Sequence, residues 1–216
     1  GMDSAYFCMP IATDFAVANA AVTIAMAHSQ GIPAQAAADA LTHARVPGRM
    51  ELVASTHGID FVVDYAHSPD AIERVVNAAV TRSVHGHGRV IVVLGAGGDR
   101  DQRKRPAMGR AASRADLLII TDDNPRHENP ATIRAMLRDG ARSADAQVHE
   151  IAPRDEAIEW AVNEAKTGDV VLVLGKGHEG TQDLGDRVIA FDDRQVLALF
   201  VQQRFEAAMG DRGDDA

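Results

Sequence analysis

Two five-residue runs, Val90-Ile91-Val92-Val93-Leu94 and Val170-Val171-Leu172-Val173-Leu174, contain no polar residue, and glycine follows each of them directly. An apolar run of that length without alternation suits a strand covered on both faces, the condition of a parallel sheet whose crossover helices lie on either side. Leu117–Thr121 and Phe61–Val63 are further β-branched runs, and amphipathic helical stretches separate them. This rhythm is that of an α/β protein, and it predicts a Rossmann-like layered sandwich. Met50–Thr56 and Gly58–Tyr65 are read as an antiparallel hairpin at one edge.

Ahead of the strands, Asp14–Ala44 is rich in alanine, with apolar residues at helical spacing. Two helices are expected there. Asp14 is the N-cap of the first, Gly31-Ile32-Pro33 ends it, and Pro33 suits the first turn of the second. Val46-Pro47-Gly48 then breaks the helical pattern. With 216 residues there is room for one well-cored domain and a flanking piece, but not for a typical multidomain synthetase. The expected division is 1–45, 46–209 and a frayed, polar tail over 210–216.

The charge balance narrows the partners. Twenty-two basic side chains against 31 acidic ones give a net charge of −9, which argues against a nucleic-acid or anionic membrane surface and leaves small molecules. Cys8, the one cysteine, has no partner for an internal disulfide. No stretch is long and apolar enough to span a bilayer or to act as a secretory signal, so a cytoplasmic location is expected. Gly1 ahead of Met2 resembles the scar of a cleaved tag, which would make the chain a fragment; a native start at Met2 is the alternative.

Ligands of open parallel sheets bind beyond the carboxyl ends of the strands, so the loops there are the candidates for function. After Val90–Leu94 the loop Gly95-Ala96-Gly97-Gly98-Asp99-Arg100-Asp101 lets backbone amides approach a ligand and carries Arg100. It is not a dinucleotide fingerprint, since Arg100 stands where GxGxxG needs glycine, and the same residues also suit a plain tight turn. After Leu117–Thr121, Asp122-Asp123-Asn124-Pro125-Arg126 offers carboxylates for an ammonium and a guanidinium fork for a carboxylate, on a chain stiffened by Pro125. A solvated turn leading to an N-cap at Asn129-Pro130 is the simpler alternative. After Val170–Leu174, Gly175-Lys176-Gly177-His178-Glu179 clusters three polar side chains between glycines, with Glu179 able to bind an amine; a simple turn is again the alternative.

A fourth cluster, Asp64-Tyr65-Ala66-His67-Ser68-Pro69-Asp70, precedes a helix at Ala71–Val80 and can hold a ribose or another polar edge. Asp70 reads equally as an N-terminal helix charge, and His67 as a turn or core histidine. Two superficial motifs fail. His127-Glu128 begins a zinc HExxH pattern, but Ala131 occupies the second histidine position, and Gly175-Lys176 lacks both the earlier glycine and the hydroxyl of a phosphate-binding P-loop.

Together, Val46-Pro47-Gly48-Arg49-Met50-Glu51, Asp64–Asp70, Gly95–Pro106, Asp122–Arg126 and Gly175–Glu179 occur in the order and spacing of the MurE-type Mur ligases. The resemblance covers roughly residues 14–205. It looks like the last helices of that family's central ATPase domain followed by its whole C-terminal domain, with the boundary near Val46. It implies an ATP- and magnesium-dependent ligase of peptidoglycan synthesis. That enzyme adds meso-diaminopimelate, or another third residue in some branches, to UDP-N-acetylmuramoyl-L-alanyl-D-glutamate through an acyl phosphate. The family's phosphate loop and metal ligands belong to its N-terminal part, and no GxxxxGK[ST] occurs in this sequence. The resemblance therefore implies that this piece does not catalyse alone.

Carried over residue by residue, the resemblance places the diamino-acid site on Arg100, Asp123, Asn124, Pro125, Arg126, Gly175 and Glu179, and the nucleotide side on Asn19, Arg49, Asp64 and His67. Arginines for carboxylates and acidic groups for ammonium suit both ends of a zwitterion, and a second carboxylate distinguishes meso-diaminopimelate from lysine or ornithine. The family's second asparagine is replaced here by Ala16, a departure that bears on adenine contacts from this helix and not on the amino-acid site. The rival readings are a Mur or folylpolyglutamate-type ligase adding a different amino acid, a non-enzymatic Rossmann-like module that senses a nucleotide or amino acid, and a structural module without a ligand.

Overall fold

The computed structural model describes residues 4–6, 14–44, 46–86, 88–142 and 145–210. Cys8, the Gly1-Met2 start and the tail beyond Gly210 lie outside them, as does the side chain of Asp14. The chain divides into two compact units, residues 1–46 and 47–216.

The first unit holds α1 (Asp14–Ser29) and α2 (Ala34–Thr42). Gly31, at φ +86°, ends α1. The amide of Gly31 donates to the His28 carbonyl and that of Ile32 to the Ala27 carbonyl, the paired bonds of a left-handed glycine cap. Pro33 stands at the N-cap of α2, one place before the first turn expected for it. Small side chains let the two helices approach: Ala20, Ala37 and Ala38 are buried.

In the second unit the sheet contains β1 (Glu51–Thr56), β2 (Ile59–Asp64), β3 (Val90–Leu94), β4 (Leu117–Ile120), β5 (Gln147–Glu150) and β6 (Val170–Leu174), ordered β1-β2-β6-β3-β4-β5. All neighbours are parallel except β1 on β2. That edge hairpin turns through His57 and Gly58, both at positive φ, as a two-residue hairpin turn requires. Every residue of β3, β4 and β6 is buried, which is why these strands could be read from their apolar runs.

Helices cover both faces. The crossovers are α3 (Pro69–Gly86), α4 (Lys104–Ala112), α5 (Pro130–Ala141) and α6 (Arg154–Glu164), and α7 (Asp193–Gly210) closes the chain. Ile158, Val162, Leu197 and Val201 of α6 and α7 join one core with Phe61, Val63, Ile91, Val93, Ile119 and Val173. The apolar sides of α3, α4 and α5 bury Ile72, Val76, Met108, Ile133 and Leu137. Asn129 caps α5, its side chain accepting from the Ala131 amide, with Pro130 in the first turn.

The register decides where function can lie. Asp64 pairs with Leu174, Leu174 with Leu94, Leu94 with Ile120 and Ile120 with Glu150. The parallel strands therefore end in one level row, and the loops after β2, β6, β3 and β4 leave side by side. The chain runs outward from β3 through β4 to β5 and then returns to β6 on the other side of β3. The β3/β6 boundary is the switch point at which such sheets open a crevice. A two-stranded ribbon, β7 (Thr181–Asp183) with β8 (Val188–Ala190), follows β6 directly.

Candidate functional site

Three loops meet above the switch point, and glycines make the meeting possible. A β-carbon on Gly95 would stand 2.9 Å from the Asp123 β-carbon, and one on Gly175, at φ +115°, would stand 2.8 Å from Asp123 Oδ2. The loop after β3 is tied to the loop after β4 by the Gly98 amide, which donates to the Asn124 carbonyl at 2.8 Å. Asp123 and Asn124 are buried. Asp123 Oδ1 accepts the Asn124 amide at 2.6 Å.

Asn124 is oriented from three sides. Its Oδ1 accepts from Lys176 Nζ (3.1 Å) and from the Asp183 amide (2.9 Å), and its Nδ2 donates to Glu179 Oε2 (2.9 Å). The ribbon locks the loop further, because Gln182 Nε2 donates to the Asp123 carbonyl at 2.6 Å and the Arg126 amide donates to the Asp183 carbonyl at 3.1 Å. Arg126 sits at φ +51°, a left-handed conformation costing about 1 kcal/mol or more for a residue with a β-carbon. Its Nη1 donates to the Gly98 carbonyl at 2.7 Å, and its Nε lies 3.8 Å from Asp183 Oδ2. Strain of this kind, held by neighbours on every side, is characteristic of ligand clamps.

The structure thus brings together Asp123, Asn124, Pro125, Arg126, Gly175 and Glu179. Arg100 is less engaged. Its Cγ flanks the same glycine as Arg126 Nη1, Gly97, but the side chain is exposed and, among the described residues, donates only to its neighbour's carbonyl, Asp99 O, at 3.2 Å.

Two buried arginines, not singled out from the sequence, brace these loops. Arg154 at the start of α6 pairs with Asp193 through two bonds (2.8 and 2.7 Å) and donates to the Leu174 carbonyl at 2.9 Å. Burial works against its charge, yet the Asp193, Asp123 and Glu179 carboxylates outweigh this and raise its pKa. Arg105 in α4 makes a two-bond pair with Glu128, both at 2.8 Å, and donates to the Gly97 carbonyl at 3.0 Å. The Arg105 bond, with the Asp99 amide, holds the Glu128 carboxyl below its ordinary range. Both arginines stand among charged neighbours in sequence, where nothing distinguishes a buried ion from a solvated one.

Of the residues that the resemblance places on a nucleotide side, Asp64 is buried at the end of β2 and spends its oxygens on backbone: Oδ2 accepts the Met50 amide and Oδ1 the Ala66 amide, both at 2.7 Å. Desolvation pushes its pKa up against those bonds and against the nearby Arg49 and His67. Arg49 lies 4.3 Å over the Tyr65 ring in a cation–π contact. His67 is exposed, its Nδ1 2.8 Å from the Tyr65 carbonyl. Arg49 and His67 thus present polar groups to solvent, whereas Asp64 fixes the turn that carries them. Asp70 lies exposed in the first turn of α3, the helix-charge alternative. Asn19 is exposed on α1 in the other unit. Among the described residues no group of three or more His, Cys, Asp or Glu side chains is placed to hold a metal ion, and none of their helices is long and apolar enough to cross a membrane.

A level parallel sheet with three loops meeting at the β3/β6 switch point, joined by a clamp of paired acidic and basic groups, defines a class, and comparison identifies it. Residues 48–177 match the family model described as Mur ligase, glutamate ligase domain, and the chain belongs to the Mur ligase family. It is similar to UDP-N-acetylmuramoyl-L-alanyl-D-glutamate--2,6-diaminopimelate ligases. The relative from Rhizobium meliloti is 48% identical over 188 residues, 86% of this chain and 37% of the relative. Those from Brucella melitensis (46% over 201 residues; 92% and 40%) and Caldanaerobacter subterraneus (42% over 184 residues; 85% and 38%) agree. The chain thus spans about two fifths of the length of these curated relatives. A solved structure of a ligase with the same printed function superposes with a TM-score of 0.71 at 35% identity, over 92% of this chain and 40% of that one. The folylpolyglutamate synthase/dihydrofolate synthase of Yersinia pestis shares the fold at 21% identity, with a TM-score of 0.60 over 93% of this chain and 41% of that one.

Proposed function

We propose that this chain is the C-terminal, amino-acid-binding part of an ATP-dependent ligase that joins meso-diaminopimelate to UDP-N-acetylmuramoyl-L-alanyl-D-glutamate in peptidoglycan synthesis. The observation that carries the reading is the convergence of Asp123, Asn124, Arg126 and Glu179 on one rim of the sheet, in a chain whose relatives are named for that reaction. Glu179 and Asp123 attract ammonium groups, and Arg126 offers a planar fork to a carboxylate. Arg100, exposed and flanking the same glycine, swings to a second carboxylate, which meso-diaminopimelate has and lysine lacks. A polar group left unpaired by the wrong ligand is the basis of strong discrimination.

Residues 1–45 are a remnant of the family's central ATPase domain and residues 46–209 its C-terminal domain, the whole enzyme working in the cytoplasm. Arg49 and His67 meet the ATP ribose or phosphates on the turn that Asp64 fixes. Magnesium, when bound, neutralises phosphate charge; no residue of this chain is assigned to it. The chain itself binds and orients the attacking amine but does not activate the acceptor carboxylate, so alone it neither hydrolyses ATP nor forms the amide.

The test joins this chain to the family's N-terminal part and measures phosphate release with ATP, magnesium and UDP-N-acetylmuramoyl-L-alanyl-D-glutamate. Turnover that depends on meso-diaminopimelate and is at least about a hundredfold faster than with L-lysine or L-ornithine is expected. Equal or better turnover with lysine would overturn the assignment.

A further inference from the structure

Lys176 is fully buried although it carries an ammonium, and its position is unlike that of any other lysine in the chain. Its Nζ donates to three acceptors that arrive on different segments: the Thr181 carbonyl at the start of β7 (2.6 Å), Asn124 Oδ1 in the loop after β4 (3.1 Å) and Glu179 Oε2 in the loop after β6 (3.3 Å). Three acceptors use all of its N–H bonds, so nothing remains for a ligand. We propose that Lys176 is a positioning residue of the amino-acid site, which fixes the Asn124 amide and, with it, turns one oxygen of Glu179 outward for the ligand's ammonium. The proposal rests on the site reading above.

Asn124 Oδ1 takes its two donors from Lys176 and the Asp183 amide, which leaves its Nδ2 facing Glu179 Oε2. Glu179 Oε2 then accepts from both Asn124 and Lys176, while among the described residues Oε1 carries no hydrogen bond and the side chain is 34% exposed. A glutamate on a loop between glycines would otherwise sample several rotamers and lose that freedom on binding. The nearby positive charge by itself weakens the pull of Glu179 on an ammonium. The two effects therefore make opposite forecasts for removal of Lys176: charge alone forecasts tighter binding of the amine, positioning forecasts weaker binding.

The experiment is calorimetric titration of this chain with meso-diaminopimelate, using wild type, Lys176→Met, Glu179→Gln and the double variant. Each single change is expected to weaken binding about tenfold or more, and the double variant to be no weaker than the weaker single, because both disable one contact. Unchanged or tighter binding by Lys176→Met, or losses that multiply in the double variant, would overturn the proposal and leave the site reading standing. A wild-type chain that takes up no diaminopimelate overturns the site reading and this proposal with it. If Lys176→Met does not fold, nitrogen-15 spectra of the wild type decide. The Lys176 ammonium and the Asn124 side-chain amide shift together on saturation if the proposal holds, and neither moves if it is wrong.

Discussion

Gly175 combines a left-handed backbone with a close neighbour. At φ +115° a β-carbon would be strained, and it would press on Asp123 Oδ2 at 2.8 Å. Gly175→Ala is expected to abolish amino-acid binding and to cost about 1–3 kcal/mol in stability, read from denaturant unfolding. Glu128 gives a pH test. Its carboxyl is held below the ordinary value by Arg105, so the native state binds fewer protons than the unfolded one. The stability it contributes is present above the ordinary glutamate pKa of 4.5 and is lost as pH falls through the lower, folded value. The stability gap between wild type and Glu128→Gln should therefore shrink as pH falls below about 4.5; a gap that stays constant would deny the pair its role. The groups legible in the sequence were those on glycine- and proline-marked loops, Asp123 to Arg126 and Glu179. Arg105, Arg154 and the depth of Lys176 were not, because burial of an ion is decided by partners distant in sequence, such as Asp193, which lies 39 positions from Arg154.

Helices α4 and α5 meet through backbone. A β-carbon on Gly109 would stand 1.9 Å from the Leu137 carbonyl oxygen, and one on Gly140 would stand 1.8 Å from that of Pro106. In an isolated helix alanine is favoured over glycine by about 1 kcal/mol. Here Gly140→Ala is expected to destabilise by about 2 kcal/mol or more, since rigid backbone cannot yield to the added methyl group. Thermal unfolding checks the sign, and a stabilised variant would mean that the helices can separate without cost. The β7–β8 ribbon packs directly on Arg126: a β-carbon on Gly185 would lie 2.2 Å from the Arg126 carbonyl oxygen. Gly185→Ala should displace Arg126 and reduce diaminopimelate binding by at least about tenfold, with a smaller effect on global unfolding than Gly140→Ala.

The buried strands were plain in the sequence and the exposed ones were hidden. β3, β4 and β6 announced themselves as apolar runs, and the edge hairpin through its two strand-like stretches. β5 reads Gln-Val-His-Glu at the far edge, mostly exposed, and β7 and β8 are three residues each. Strands that short and exposed are held by what they pack against, and local pattern carries little of that information.

For the whole molecule, every residue assigned to the amino-acid site lies in the unit formed by residues 47–216. A chain beginning at Pro47 is therefore expected to fold and to bind meso-diaminopimelate as well as the full 216 residues do, within about twofold. The loops at the carboxyl ends of the parallel strands were foreshadowed by the α/β rhythm, whereas the strand order, with β6 returning between β2 and β3, and with it the switch point, depends on crossovers that periodicity does not specify. The proposal that this rim recognises an amino acid by charge at both ends, with a place for a second carboxylate, stands or falls on calorimetric titration of the chain with meso-diaminopimelate and with L-lysine, repeated with Arg126→Ala. Saturable binding of diaminopimelate at least about tenfold tighter than lysine, lost in the variant, is expected. Equal affinity for the two amino acids, or binding indifferent to Arg126, would contradict it.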